Sequence, residues 1–381
     1  MDFDYTEEQT LFSDSLRRLL EDKYSDSQRR DVLAQDDTYH SEALWQDYAE
    51  LGLLALPFDE GMGGFGGTAI DVMVTELEFG RHLSLEPYLA SVILAGGALR
   101  LAGNADQQSR LIEPMVAGEM KLACAFGEPQ SRYDAFDVET RAEKSGNGFK
   151  LSGRKAVALG ADCADKLIVS ARIAGDVADK DGLCLFIVDT KAPGVSVNGY
   201  RLSDGRGAAE VTLDGAEVGA DDLVGEEGNA WPVIDHVVDL GTAALCAEAV
   251  GAMERANDLT LEFLKTREQF GRPIGKFQVL QHRMVDMMIE KEQSESLALL
   301  ACMDADKTDA VMRQRAVSAA KVQIGNAARL ISEASIQMHG GIGVTEEYML
   351  GAYVKRLSMV QATFGDVDHH VQRFGALTAA A

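Results

Sequence analysis

Residues 148–159 read GFKLSGRKAVAL, and the runs at 166–173 (KLIVSARI), 182–190 (GLCLFIVDT), 193–200 (PGVSVNGY) and 208–215 (AAEVTLDG) share its character. Each is short, carries β-branched or alternating apolar residues, and is bounded by residues that turn a chain. The spacing predicts a small β-domain over residues 121–225. Upstream, residues 1–120 place apolar side chains at helical intervals, as in Leu11, Leu16, Leu19 and Leu20. Downstream of Trp231, Val250, Met253, Ala256, Leu259 and Phe263 restore that period. No proline follows Pro273, so long helices packed as a bundle are expected over 226–381. The order is helices, β-domain, helical bundle.

Composition narrows the function. With 46% hydrophobic and 25% charged residues in 381, the chain has the means to fold around a substantial core. A formal net charge of −25 repels nucleic acid and anionic membranes alike, so neither is an expected partner. The start, MDFDYTEEQTLF, lacks a positive segment followed by an apolar run, and no stretch has the roughly 18 apolar residues of a membrane span. A cytoplasmic protein is expected. Five cysteines (Cys124, Cys163, Cys184, Cys246, Cys302) are scattered without CxxC spacing and read as buried thiols.

Two patterns invite over-reading. GMGGFG at 61–66 has the GxGxxG spacing of a dinucleotide-binding turn, yet it follows LLALPFDE rather than a buried strand and has no βαβ context. A di-iron centre needs Glu-x-x-His pairs, and none of the seven histidines has Glu three positions earlier. Asp366, Asp368, His369 and His370 are of metal-ligand type, but an Asp capping a helix start accounts for them better, and no metal is expected.

TREQFGRPIGKFQ (266–278) and QMHGGIG (337–343) are long and specific. With ELGLLALPFDEGMGGFGG (50–67) and the domain order, they resemble the acyl-CoA dehydrogenase family over essentially the whole chain. The resemblance implies an α+β, mainly α fold with three parts: an N-terminal helical domain (1–120), a middle β-barrel or sandwich (121–225) and a C-terminal four-helix bundle (226–381). It implies a flavoprotein oxidoreductase that dehydrogenates acyl-CoA thioesters, with FAD held between β-domain and bundle and reoxidised by an electron-transfer flavoprotein. By residue-to-residue match, Arg267 contacts the FAD pyrophosphate across a subunit interface, with Phe270 and Gln278 close by; Gln337, Gly340 and Gly341 match the glycine-rich approach to the cofactor. A guanidinium fork suits a phosphate, and glycine lets backbone approach closely.

The flavin-facing half departs from the pattern. Family members usually carry TEPxxGSD and then Trp-x-Thr or Trp-x-Ser; here the runs are GEPQSRYD (127–134) and KAVALG (155–160), with Val157 and Leu159 where the ring-covering Trp and the hydroxyl would be. The base that removes the α-proton is usually a Glu near the C-terminus or, in a minority, at the start of the first bundle helix. Those positions fall at Gly365 and near Gly241. Asp366 and Asp239 are the neighbouring carboxylates, and a shift along a helix turns a side chain elsewhere. Gly365 keeps a backbone N–H able to serve a thioester carbonyl. Arg132 and Arg206 are conceivable anchors for an ω-carboxylate.

This asymmetric loss, with LCAEAVGAM, AAKVQIG and FGDVDHH, resembles the small subunit of pimeloyl-CoA dehydrogenase-type heteromers. The resemblance implies a hetero-tetramer with a large subunit carrying the catalytic Glu, or a homo-tetramer if the chain is self-sufficient, acting in fatty or dicarboxylic acid degradation. The alternatives are a self-sufficient flavoenzyme with Asp366 as base and a non-catalytic scaffold.

Overall fold

A computed structural model describes residues 5–36 and 38–379. Helices α1 (Glu7–Lys23), α2 (Asp26–Leu33), α3 (Glu42–Glu50) and α4 (Ala69–His82) lead into a π-helical stretch (Leu89–Gly96), α5 (Gly97–Ala102) and α6 (Ala105–Val116). Eight strands follow: β1 (Leu122–Ala125), β2 (Arg141–Ser145), β3 (Gly148–Leu159), β4 (Lys166–Arg172), β5 (Leu183–Asp189), β6 (Val195–Arg201), β7 (Gly207–Gly219) and β8 (Leu223–Val224). The chain closes with α7 (Trp231–Thr266), a hairpin of β9 (Glu268–Gln269) and β10 (Arg272–Pro273), α8 (Gln278–Ala305), α9 (Ala310–His339), α10 (Leu350–Ala362) and α11 (Val367–Ala379).

Two compact units result: Asp31–Thr68 with Leu85–Gly241, and Met1–Arg30 with Ala69–Ser84 and Thr242–Ala381. The sequence boundary between them at 241/242 lies inside α7. Residues 1–120, which read from the sequence as one helical domain, are divided between the two.

In the first unit an eight-stranded mixed sheet runs β6-β7-β3-β2-β4-β5-β8, with β1 parallel to β4. Burial explains the sequence patterns. Strands β4 and β5 are inside the sheet and buried on both faces, so KLIVSAR and LCLFIVD read as near-continuous apolar runs. Edge strand β6 is largely exposed, and VSVNGYR is mixed accordingly. Leu151, Val169, Phe186, Val211 and Leu213 meet in the core, with the Phe149 and Phe186 rings 4.9 Å apart. GMGGFG forms a tight turn after α3 with no strand before it; a Cβ on Gly64 would sit 2.0 Å from the Phe58 carbonyl oxygen.

The second unit is helical. A capping box, Thr6 with Gln9, starts α1. Buried Glu78 on α4 accepts from Ser13 (3.0 Å) and Arg17 (2.7 Å) of α1 and pairs with Arg81, which fixes α1 against α4. Helices α4 and α7 cross almost in backbone contact: a Cβ on Gly80 would lie 1.9 Å from the Glu248 carbonyl oxygen, and one on Gly251 would lie 2.0 Å from that of Leu77. Beside that crossing, buried Glu248 and Arg356 pair, tying α7 to α10 (Arg356 Nε to Glu248 Oε1, 2.7 Å). No described helix is long and apolar enough to cross a membrane. All five cysteines are free thiols, four buried and Cys163 partly so.

Candidate functional site

The C-terminus of α7 turns sharply into α8. Phe270 and Gly271 have φ of +56° and +75°, the paired left-handed residues of a tight two-residue hairpin joining β9 and β10. The turn is braced from both sides of Arg267, whose N–H donates to Phe263 O (2.8 Å) and whose carbonyl accepts from Ile274 (2.8 Å). Arg272 stacks on Phe277 at 4.4 Å. The hairpin thereby presents Phe270 with 91% of its surface exposed, leaves the Arg267 side chain exposed, and starts α8 at exposed Gln278.

The end of α9 is fastened to the same end of α7. His339 is buried, its Nδ1–H donates to Ser335 O (2.8 Å), its Nε2 faces the Tyr348 hydroxyl (3.2 Å), and its ring stacks on Phe263. Burial lowers its pKa. Beyond it Gly340 takes φ +60° and ψ −140°, a conformation that strains any residue with a Cβ. Added Cβ atoms at Gly340 and Gly341 would meet nothing within 4 Å, so this backbone is open to an approaching group. Exposed Gln337 lines a groove of about 530 Å³ with Arg283, Asn326, Arg329, Leu330 and Glu333. These neighbours of Gln337 were not legible as site residues. The signal that could have found three of them is the recurrence of Asn326, Leu330, Glu333 and Gln337 every three or four residues along one face of α9. Phe263, His339 and Tyr348 thus bring the Arg267 and Gln337–Gly341 segments to one end of the bundle.

Between α10 and α11 lies the turn Phe364–Gly365, with φ of +58° and +114°. Both carbonyls are held: His370 Nε2 donates to Phe364 O (3.0 Å) and Lys321 Nζ donates to Gly365 O (2.6 Å) and Gln361 O (3.3 Å). Burial, then the nearby Lys321 charge, pushes the His370 pKa down to about 3, so its ring is neutral and Nδ1 accepts from Ser318 Oγ (3.3 Å). Burial also pulls Lys321 down to about 8. A Cβ at Gly365 would lie 2.7 Å from both His369 and His370, which leaves no room there for a side chain. Asp366 is half-buried, and its Oδ1 accepts from the His369 N–H at 2.9 Å, the bond of a helix N-cap. Asp239 is fully buried.

In the sheet unit, the GEPQSRYD run is organised by its glutamate. Glu128 accepts from the Glu139 and Thr140 N–H groups (2.7 and 3.1 Å) and from buried Lys155 (2.6 Å), which also reaches Ser170 Oγ (3.0 Å). Burial drives Lys155 down to about 8 against the pull of Glu128; for Glu128, burial raises the pKa but Lys155 and the hydrogen bonds outweigh it, and the net shift is downward. This carboxylate is consumed by structure. Val157 sits at a bulge between β3 and β7 with φ +51° and 52% exposure, offering no hydroxyl or ring where the family has them. Arg132 is exposed and stacks on Tyr133 (5.2 Å), while the Arg206 N–H donates to Asp204 (3.3 Å). Among the described residues no three His, Cys, Asp or Glu side chains are grouped to hold a metal ion.

Comparison with known proteins defines the class. Family models for the acyl-CoA dehydrogenase N-terminal, middle and C-terminal domains match residues 6–119, 123–215 and 228–374. The chain is 28% identical over 329 residues to a probable acyl-CoA dehydrogenase, YngJ, of Bacillus subtilis, covering 85% of this chain and 86% of that one. It is 28% identical over 306 residues to the human mitochondrial short-chain specific acyl-CoA dehydrogenase, covering 78% and 73%. Among solved structures it resembles a variant of the Tcur3481–Tcur3483 steroid ACAD (TM-score 0.86, 30% identity, 98% of each chain). It also resembles the ChsE4–ChsE5 complex of Mycobacterium tuberculosis (0.90, 25%, 100% of each). The chain belongs to the acyl-CoA dehydrogenase family, oxidoreductases acting on CH–CH groups.

Proposed function

We propose that this chain is the non-basic subunit of a heteromeric, FAD-dependent acyl-CoA dehydrogenase, similar in role to the small subunit of pimeloyl-CoA dehydrogenase-type enzymes. Its partner is a large subunit that carries the catalytic Glu. The observation that carries the reading is the Phe364–Gly365–Asp366 turn: position 365 has no room for a side chain, and the neighbouring carboxylate caps a helix. The relatives named as pairs, ChsE4–ChsE5 and Tcur3481–Tcur3483, support heteromeric assembly, as do exposed Phe270 and the apolar side chains Val279, Val285, Met288 and Ile289 that α8 leaves in solvent.

The residues present fit the phosphate end of FAD. Arg267 supplies a planar guanidinium to the pyrophosphate, Gln278 and Gln337 supply amides, Phe270 packs against the cofactor-binding partner, and Gly340–Gly341 leaves backbone within reach of a ligand. When bound, FAD accepts the hydride that leaves the β-carbon as the α-proton departs. The Gly365 N–H donates to the thioester carbonyl, which lowers the cost of the charge that develops there. Transfer of electrons onward to an electron-transfer flavoprotein completes the reading.

A self-sufficient homo-oligomer with Asp366 as base is the second reading, favoured by the position of that carboxylate beside the Gly365 N–H. Arg267→Ala in the purified complex tests the first. Flavin content and turnover should fall together, and unchanged turnover would contradict it.

A further inference from the structure

Two side chains that the proposed reaction does not use converge on one turn. Lys321 and Ser318 stand one turn apart on α9, and His370 lies on α11. His370 donates to Phe364 O and Lys321 to Gly365 O, so two consecutive carbonyls are held by side chains that are each 1% exposed. The Lys321 ammonium meets the carbonyl oxygens of Gly365 and Gln361, with the Asp366 carboxylate a nearby charge that favours its ionised form. A charge is an expensive group to bury for the sake of a loop, since burial penalises the ionised form.

The consequence falls on the other side of each peptide. A trans peptide carries its C=O and N–H on opposite sides. Holding Phe364 O toward His370 therefore directs the Gly365 N–H away from it, and holding Gly365 O toward Lys321 directs the Asp366 N–H away from the ammonium. A hydrogen bond accepted by a peptide carbonyl also strengthens the same peptide's N–H as a donor. Gly365 is buried, yet its N–H has no acceptor among the described residues. Left-handed backbone at Phe364 and the His rings crowding Gly365 keep the turn from relaxing.

We propose that His370 and Lys321 are positioning residues for a coenzyme A thioester: they fix and polarise the two peptides of the Phe364–Asp366 turn so that the Gly365 N–H serves the acyl carbonyl oxygen. This rests on the acyl-CoA reading of the chain and adds to it the means by which the donor is held. Neither residue touches the substrate.

The test uses the flavin-containing preparation of the full-length chain, in the assembly in which it purifies. The probe is a 3-oxoacyl-CoA, whose α-proton becomes more acidic when its thioester carbonyl accepts a hydrogen bond. The readout is the ultraviolet absorbance of the bound enolate across pH, which requires no turnover. His370→Phe keeps the ring volume and removes the donor, so the bound enolate at fixed pH should fall about tenfold, as expected for weakening one oxyanion donor. Lys321→Met should shift it in the same direction. His370→Gln, which keeps an N–H donor, should stay within about threefold of the wild type by the same reasoning. Folded, flavin-loaded variants that all enolise the bound probe as the wild type does would overturn the proposal. A wild-type preparation that binds no thioester would remove it together with the acyl-CoA reading.

Discussion

The imidazole of His339 lies over the ring of Phe263, centroids 4.4 Å apart and planes 27° from parallel. Through this contact the last residue of α9 is fixed to α7 four residues before Arg267. Phe263→Ala removes a partly buried aromatic pair, so we expect about 2 kcal/mol of lost stability. Flavin should also be held more weakly, since the Arg267 and Gly340 segments lose their common anchor. Thermal melting and flavin content of the same preparation check both; a destabilised variant with wild-type flavin affinity would separate the anchor from the site.

Asp366 distinguishes the two functional readings. As an N-cap, Asp is matched by Asn, so Asp366→Asn should leave melting temperature and turnover of the complex nearly unchanged, whereas Asp366→Ala should cost about 1 kcal/mol. As a general base, Asp366→Asn should instead reduce turnover by about a hundredfold or more. Steady-state rates of the two variants decide.

His370 sets an acid limit. Its folded pKa of about 3 lies below the ordinary imidazole value of 6.5. Between those values the unfolded chain binds the extra proton, so the folded state loses stability as pH falls from 6.5 toward 3. The loss is on the order of a few kcal/mol. In His370→Gln this contribution is absent. The stability difference between wild type and variant, measured by denaturant unfolding at a series of pH values, should move in the variant's favour on acidification.

The two buried lysines act at the opposite end of the scale. Lys155 and Lys321 have folded pKa values near 8 against 10.5 for the free group. The unfolded chain therefore binds more protons between pH 8 and 10.5, and their contribution becomes more favourable to folding as pH rises through that window. Lys321→Met should flatten the stability profile there, as read from unfolding midpoints at about pH 8 and above.

Val157 is a β-branched residue held at φ +51° in a strand bulge, half in solvent. Glycine is at ease in that conformation, and the side chain buries little, so Val157→Gly should stabilise the fold by about 1 kcal/mol. A lowered melting temperature would mean that the side chain packs against something it has been denied here.

Much of the architecture was readable because its signals are local. GFKLSGRKAVAL is one strand from Gly148 to Leu159, and the runs after it are β4 to β7, since turn residues and apolar alternation lie within each segment. β1 and β2 left no such mark. LACA is a four-residue apolar run without β-branching, and RAEKS is charged because four of its five residues face solvent. The division of the N-terminal helices between two units was likewise hidden, because it depends on which distant surface each apolar face meets. Within the candidate site, Arg267 and the glycine pair stand in contiguous motifs. Lys321 and His370 do not: they act on backbone carbonyls up to 44 residues away, and a backbone acceptor has no side-chain signature to find.

On the reading proposed above, this chain lacks the base and completes a flavin-dependent site together with its partner. Flavin content per chain, measured by visible absorbance and native mass on the chain purified alone and again after co-expression with a family partner carrying the glutamate, tests it most directly. We predict colourless protein alone and one FAD per pair of unlike subunits in the complex. One FAD per chain in the protein purified alone would contradict the claim.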